Sequence, residues 1–402
     1  MSHENKVMDA ITIKDLDVVF GDKTEQALVL LDQGKTRQEI IDETGQVVGV
    51  DNVSLTVQEG EICVLMGLSG SGKSSLLRAV NGLNEISRGT LAIKDGDKLV
   101  DLGEQCDEAT LRHLRTHRVS MVFQKFALMP WLSVLDNVAF GLEMQGVAKS
   151  VRRAKAREQL EMVGLAEWES KFPHELSGGM QQRVGLARAF AMDTDILLMD
   201  EPFSALDPLI RAQLQDELLT LQSKLNKTIL FVSHDLDEAL KIGNNIAIME
   251  SGKLIQHGKP EEIVLTPKTE YVKDFVAHTN PLNVLKGRSL MQPVASLTEE
   301  NKSWKICEAK DLWVNQDNGA LSLKGEPSLT LVQWQESDDL ATIDESTLVI
   351  ASPEIGMRDA IKLKRLSNHP ILLVENNQLV GILDNSEFYN ALVGGFQLTN
   401  AA

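Results

Sequence analysis

The sequence predicts an α/β fold: a mixed sheet core with a helical subdomain, followed by a smaller C-terminal α+β unit. Three observations carry that expectation. Short apolar runs of strand length, at 62–66, 119–123, 196–199 and 229–232, recur through the first part of the chain between helical stretches. The first run passes through a glycine-rich loop straight into a helical pattern, the arrangement of a strand–loop–helix unit. Near the C-terminus a helical stretch, two apolar runs and a second helical stretch succeed one another within residues 344–394.

In chain order, residues 11–20 read as a strand, with Ile11, Ile13, Leu16 and the run Val18-Val19-Phe20 apolar. Residues 24–44 look helical, with Ala27, Leu28, Leu30, Leu31, Ile40 and Ile41 apolar and Gly34 as a break. Residues 53–57 alternate as a strand, and Gly60-Glu61 turns the chain into the strand at 62–66. Residues 108–119 read as helix, 119–123 as a buried strand, and 151–170 as a charged amphipathic helix. The segment at 126–140 is apolar but interrupted by Pro130, so it is either a lid over the core or a contact patch. A helix from about Met180 to Ala191 precedes the strand at 196–199. Residues 246–249 and 253–256, around Ser251-Gly252, read as a hairpin. Residues 286–340 hold Trp304, Trp313 and Trp334 with strand-like runs and no assignable role. Residues 357–366, 371–374, 379–383 and 386–393 then read as helix, hairpin around Asn376-Asn377, and helix.

Residues 67–75 read GLSGSGKSS, the P-loop pattern, preceded by a strand and followed by a helix. Glycines let successive backbone N–H groups point inward at phosphate oxygens, and the helix N-terminus adds its positive end. Gly67, Ser69, Gly70, Ser71, Gly72, Lys73, Ser74 and Ser75 are the candidate phosphate-binding residues. Lys73 is placed to reach the β/γ-phosphates of ATP and the Ser74 hydroxyl to ligate Mg²⁺. The strand at 196–199 runs into Asp200 and Glu201. A buried strand that ends in adjacent carboxylates is costly unless a cation uses them. Asp200 fits a Mg²⁺ ligand, and Glu201 fits a general base that orients the attacking water.

Phe20, the P-loop, Gln124, LSGGM at 176–180, ILLMDE at 196–201, Ser204-Ala205-Leu206-Asp207 and His234 stand in an order that resembles an ATP-binding cassette (ABC) transporter ATPase subunit. The resemblance covers roughly residues 11–280. It implies a P-loop NTPase cassette. Its members bind ATP and Mg²⁺ between two copies arranged head to tail. More narrowly, the chain resembles the ATP-binding subunits of glycine betaine/choline importers, through QGKTR at 33–37, FALMPW at 126–131 and HTNPLNVL at 278–285. Within that group it looks most like the choline branch, by overall resemblance and not by any residue that could touch the solute.

The resemblance implies further roles. Phe20 stands where such cassettes carry an aromatic that stacks on adenine, a contact worth roughly 1–3 kcal/mol by analogy with base stacking. An ordinary core Phe is the alternative. Gln124 would touch the Mg²⁺/water site and begin the segment that meets transmembrane subunits. Ser177, Gly178 and Gly179 would act on the nucleotide of the second copy; Met180 replaces the commonest Gln after them. Asp207 belongs to the segment where the two copies meet near both sites, and His234 would contact the γ-phosphate. The implied organisation is a cassette at 1–280, with a helical insertion at 24–44 and a helical subdomain at about 125–190. A connecting region at 281–343 and a CBS-like unit at 344–402 follow. In that last unit Asp384 and Glu387 stand where nucleotide-binding relatives carry Thr and Asp, so a packing or regulatory role is expected.

Composition bounds the partners. The formal charge of -18 disfavours nucleic acid. Cys63, Cys106 and Cys307 show no metal or redox spacing. The first ten residues lack an apolar segment of the signal-peptide kind, and no run approaches about 18 uninterrupted apolar residues. Transport would therefore need separate permease subunits, reached from the cytoplasmic face of the inner membrane, and indirectly an extracytoplasmic substrate-binding protein. A chromosome-type ATPase would need a long coiled coil between P-loop and LSGGM, and a ribosome-acting factor usually carries two cassettes. This sequence has neither feature.

Overall fold

The structure, a computed structural model, describes residues 9–103, 106–277, 284–300, 303–307, 311–317, 320–324, 329–335 and 340–393. Residues 278–283 of the HTNPLNVL segment and 394–402 of the C-terminal unit lie outside them. The chain divides into two compact units. One is built from the chain up to Ile263 with Pro267–Asp274, the other from Val264–Thr266 and the chain from Phe275 onward.

The first unit begins with β1 (Asp9–Phe20), helices α1 (Thr24–Asp32) and α2 (Arg37–Thr44), β2 (Val47–Gln58), β3 (Ile62–Met66) and α3 (Lys73–Val80). It continues through β4 (Arg88–Asp95), β5 (Lys98–Asp101), α4 (Glu108–His117), β6 (Val119–Val122), α5 (Val134–Met144), α6 (Lys149–Met162) and α7 (Gly178–Ala191). Next come β7 (Ile196–Asp200), α8 (Pro208–Leu225), β8 (Thr228–Val232), α9 (Leu236–Ile242), β9 (Asn245–Glu250) and β10 (Lys253–Gly258), then short helices α10 (Pro260–Leu265) and α11 (Glu270–Val276). An antiparallel sheet of order β2-β1-β4-β5 and a mostly parallel sheet of order β10-β9-β3-β8-β7-β6 share one core. Ile11, Val53 and Leu91 from the first sheet and Leu65, Leu198 and Leu230 from the second are buried in it, with Leu76 and Leu77 of α3.

Local signals set the helix boundaries. Thr36 and Glu39 form a reciprocal capping box at the start of α2, which ends in the left-handed Gly45. Asp207 caps α8, whose first residue is Pro208. The helix expected over 151–170 stops at Met162, because the chain turns through Gly164 at φ +67° into a short 3₁₀ segment, Ala166–Trp168. The strand expected from residue 53 starts at Val47, so the α1–α2 insertion returns directly into the sheet beside β1.

The second unit comprises α12 (Gly287–Leu290), β11 (Gln292–Pro293), β12 (Glu299–Glu300), β13 (Ser303–Cys307), β14 (Leu312–Asp317), β15 (Ala320–Lys324) and β16 (Thr330–Gln333). It ends with β17 (Thr347–Ala351), α13 (Met357–Ser367), β18 (Ile371–Glu375), β19 (Gln378–Leu383) and α14 (Asn385–Val393). β17 and β18 run parallel across α13, and β18 and β19 form a hairpin through Asn376 and Asn377, at φ +50° and +60°. Residues expected only as a connecting region supply β11 and β16 to the sheet of order β11-β19-β18-β17-β16. Their other strands, β12 to β15, form a second sheet whose Ile306, Leu312 and Val314 pack with Leu348, Leu372 and Ile382. Among the described residues no helix is long and apolar enough to cross a membrane.

Candidate functional site

β3, β6, β7 and β8 are parallel, so their carboxyl ends share one edge of the sheet. That edge brings together the P-loop after β3, Gln124 after β6, Asp200-Glu201 at the end of β7 and Ser233-His234 after β8. The loop is held by backbone geometry. Gly67, Gly70 and Gly72 all take positive φ. At Gly72, which caps α3, a Cβ would collide with the Gly49 carbonyl, so only glycine fits. Ser71 N–H donates to the Leu68 carbonyl at 3.1 Å, and the Ser71 carbonyl accepts from Gly252 N–H at 2.9 Å. Ser69 and Gly70 are exposed, while Ser74 and Ser75 are half-buried on the first turn of α3. Lys73, only 6% exposed, folds back over the loop and donates to the carbonyls of Gly67 (2.8 Å) and Leu68 (2.9 Å). Burial pushes its ammonium below the usual lysine range, against the opposing charges of Glu201 and Asp200.

Asp200 is fully buried, yet both carboxylate oxygens are used. Ser74 Oγ donates to Oδ1 at 2.7 Å and Arg78 Nη2 to Oδ2 at 3.1 Å. Glu201 sits at φ +49°, a left-handed conformation that costs a non-glycine residue energy and re-aims the chain out of the strand. Two further groups converge on its Oε2: Gln124 Nε2 donates at 3.1 Å and His234 Nδ1 lies 3.5 Å away. The Glu201 backbone is held by Gln182, whose Nε2 donates to its carbonyl at 3.3 Å.

Phe20, at the end of β1, is 39% exposed, and its ring edge packs where a Cβ of Gly49 would come within 2.6 Å of Cε2 and 3.1 Å of Ser75. An accessible aromatic face therefore stands beside the first turn of α3. Ser177 caps α7, its Oγ accepting from Met180 N–H at 3.3 Å. Gly179 lies against Ala205 and Leu206, so the LSGGM turn and the segment at 204–207 are neighbours within one chain. The Asp207 carboxylate accepts from Ile210 N–H at 3.1 Å as the cap of α8; no described contact joins it or Ser177 to the P-loop of its own chain. In the segment at 126–140, Val134, Leu135 and Val138 enter the core while Trp131 is 74% exposed. The carbonyls of Phe126 and Ala127, both at positive φ, accept from Arg188.

The sequence reading missed Arg78 and Gln182. Arg78 stands four positions after Ser74, one helical turn on, and that spacing places both on the face opposite Asp200. The residues present fit Mg-ATP: a hydroxyl and a buried carboxylate oxygen 2.7 Å apart suit a hard cation, and the glycine loop with Lys73 suits phosphate.

Comparisons with known proteins agree with this geometry. The family model described as "ABC transporter" matches residues 50–204, which span the P-loop, LSGGM and Asp200-Glu201. The chain is 51% identical over 403 aligned positions to the glycine betaine/proline betaine transport system ATP-binding protein ProV of Escherichia coli (strain K12), covering 95% of this chain and 97% of that one. It is 41% identical over 403 positions to the glycine betaine transport ATP-binding protein OpuAA of Bacillus subtilis (strain 168), covering 97% and 94%. A solved dimeric structure of the ATP-binding cassette MJ0796, in a post-hydrolysis state bound to ADP and Pi, superposes with a TM-score of 0.54 at 28% identity, covering 62% of this chain and 98% of that one. The chain belongs to the ABC transporter family, as an ATPase subunit of the group that serves import of glycine betaine and related osmoprotectants.

Proposed function

We propose that two copies of this chain pair head to tail, bind ATP at both junctions and hydrolyse it to drive import of a quaternary ammonium solute through separate permease subunits. The observation that carries this reading is the meeting of Ser74 with Asp200, and of Gln124 and His234 with Glu201, at one sheet edge beside the P-loop. Lys73 and the loop amides hold the phosphates. Ser74, Asp200 and Gln124 would hold Mg²⁺, which when bound offsets charge on the β- and γ-phosphates. Glu201 accepts a proton from the attacking water at its carboxylate, and His234 orders that water. Phe20 stacks on adenine. Ser177, Gly178, Gly179 and Asp207 of the second copy complete each site. The chain docks on the cytoplasmic face of the inner membrane through the segment after Gln124, where Trp131 stands exposed, and an extracytoplasmic substrate-binding protein delivers the solute.

Choline is the solute expected from the sequence reading; the names of the two relatives above favour glycine betaine. Uptake by the reconstituted complex separates them. Labelled choline uptake that requires ATP, and resists excess glycine betaine, supports the choline reading. Efficient displacement by glycine betaine supports the betaine reading, and ATP-independent uptake would contradict both.

We also propose that the C-terminal unit is a CBS-like domain serving contact or regulation. The supporting observation is the order β17-α13-β18-β19-α14.

A further inference from the structure

The α1–α2 insertion leaves the sheet at Phe20 and re-enters it at Val47, the residue that pairs with Phe20 across β1 and β2. Its second helix starts at a fixed point: Thr36 N–H donates to Glu39 Oε2 at 2.7 Å, and Glu39 N–H to Thr36 Oγ1 at 3.3 Å. The first residue after this cap is Arg37, and its Nη1 donates to the carbonyl of Gly70, inside the P-loop, at 2.9 Å. Gly70 is the loop residue at φ +78°.

We propose that Arg37 is a further nucleotide-binding residue, a cation that the insertion contributes to the phosphate site. The inference rests on the P-loop reading above. Arg37 is half-buried, and among the described residues it makes that one hydrogen bond and no ion pair. Its neighbour Lys35, by contrast, is paired with Glu43 at 2.7 Å. Burial pushes the Arg37 guanidinium down from its ordinary value, with only the more distant charge of Asp51 opposing. A partly desolvated cation with one of its five N–H donors satisfied and no described carboxylate within ion-pair distance has donors left for an anion. The anion that the adjoining loop is shaped to hold is an oligophosphate. A planar guanidinium suits such an anion better than a point charge does.

The test is displacement of a fluorescent ATP analogue from the full-length chain by Mg-ATP, Mg-ADP and AMP, at low and high salt. Arg37→Gln removes the charge while keeping a polar side chain with an N–H donor. It should weaken ATP binding about tenfold, ADP less and AMP least, with the ATP deficit shrinking as salt rises. Arg37→Lys should recover most of the affinity. Binding of ATP by Arg37→Gln within about twofold of the unsubstituted chain would overturn the inference. So would an equal loss for all three nucleotides, which would make Arg37 a strap on the loop. Lys73→Ala serves as the reference. If it binds ATP normally, the P-loop reading itself has failed. If it alone loses binding, only the role of Arg37 has failed.

Discussion

Ser74 Oγ donates to Asp200 Oδ1 across 2.7 Å, joining the first turn of one helix to the end of a strand 126 residues later. Asp200 is fully buried, so this bond and the Arg78 guanidinium are what make its charge tolerable. Arg78→Ala should therefore lower stability by about 1–3 kcal/mol, read as a shift of the denaturant midpoint. Because Mg-ATP would bring its own cation to Asp200, saturating Mg-ATP should narrow the gap between variant and unsubstituted chain. An unchanged gap would place the lost stability elsewhere.

The shared site has its own test. The LSGGM turn makes no described contact with the P-loop of its own chain, and in the proposed head-to-tail pair a second copy would supply that contact. A Lys73→Ala chain mixed with a Ser177→Arg chain gives a heterodimer with one doubly damaged junction and one intact junction. Neither homodimer should hydrolyse ATP, and the mixture should recover activity. No recovery, with heterodimer formation confirmed, counts against a shared site.

Glu238 predicts a pH signature. Its carboxyl is buried on the first turn of α9, where Ser233 and Gln215 donate to it, and desolvation pushes it above the ordinary carboxylate value. Below pH 4.5 both folded and unfolded states hold the proton. As pH rises from there through the raised folded value, the unfolded chain releases its proton first, so this group withdraws stability. Glu238→Gln should be increasingly stabilised relative to the unsubstituted chain as pH rises across that window. A constant difference in denaturant midpoint over pH 4.5–8 would show that Glu238 does not titrate this way.

These residues also show what a sequence makes legible. Asp200 and Glu201 could be read because they end an apolar run, Lys73 and Ser74 from the P-loop spacing that follows such a run, and Gln124 from its place in the family order; parallel strands bring these ends to one edge. Arg37 and Gln182 could not be. They act across the fold, on Gly70 and on the Glu201 carbonyl, and nothing in their neighbours' periodicity records those partners. The hairpin at Asn376-Asn377 was legible from local turn chemistry. The pairing of β16 with β17, which draws residues 330–333 into the C-terminal sheet, was not, since edge-strand pairing leaves little local pattern.

In the C-terminal unit the two acids at the candidate nucleotide positions are already engaged. Lys364 Nζ pairs with Asp384 Oδ1 at 2.6 Å, and Glu387 Oε2 accepts from Asp384 N–H at 2.9 Å. Carboxylates held there repel phosphate. Calorimetry on the full-length Lys73→Ala chain should therefore find no residual AMP or ATP binding in the micromolar range. Tight residual binding that disappears when residues 285–402 are also removed would make this unit a nucleotide site after all.

The central claim is that Glu201 takes the proton of the attacking water at the edge where Gln124 and His234 meet it. Hydrolysis by Glu201→Gln, measured beside its ATP binding, tests this most directly. The account predicts retained ATP binding, a dimer trapped with ATP, and turnover lower by about 10²–10⁴-fold. Hydrolysis close to the rate of the unsubstituted chain would contradict it.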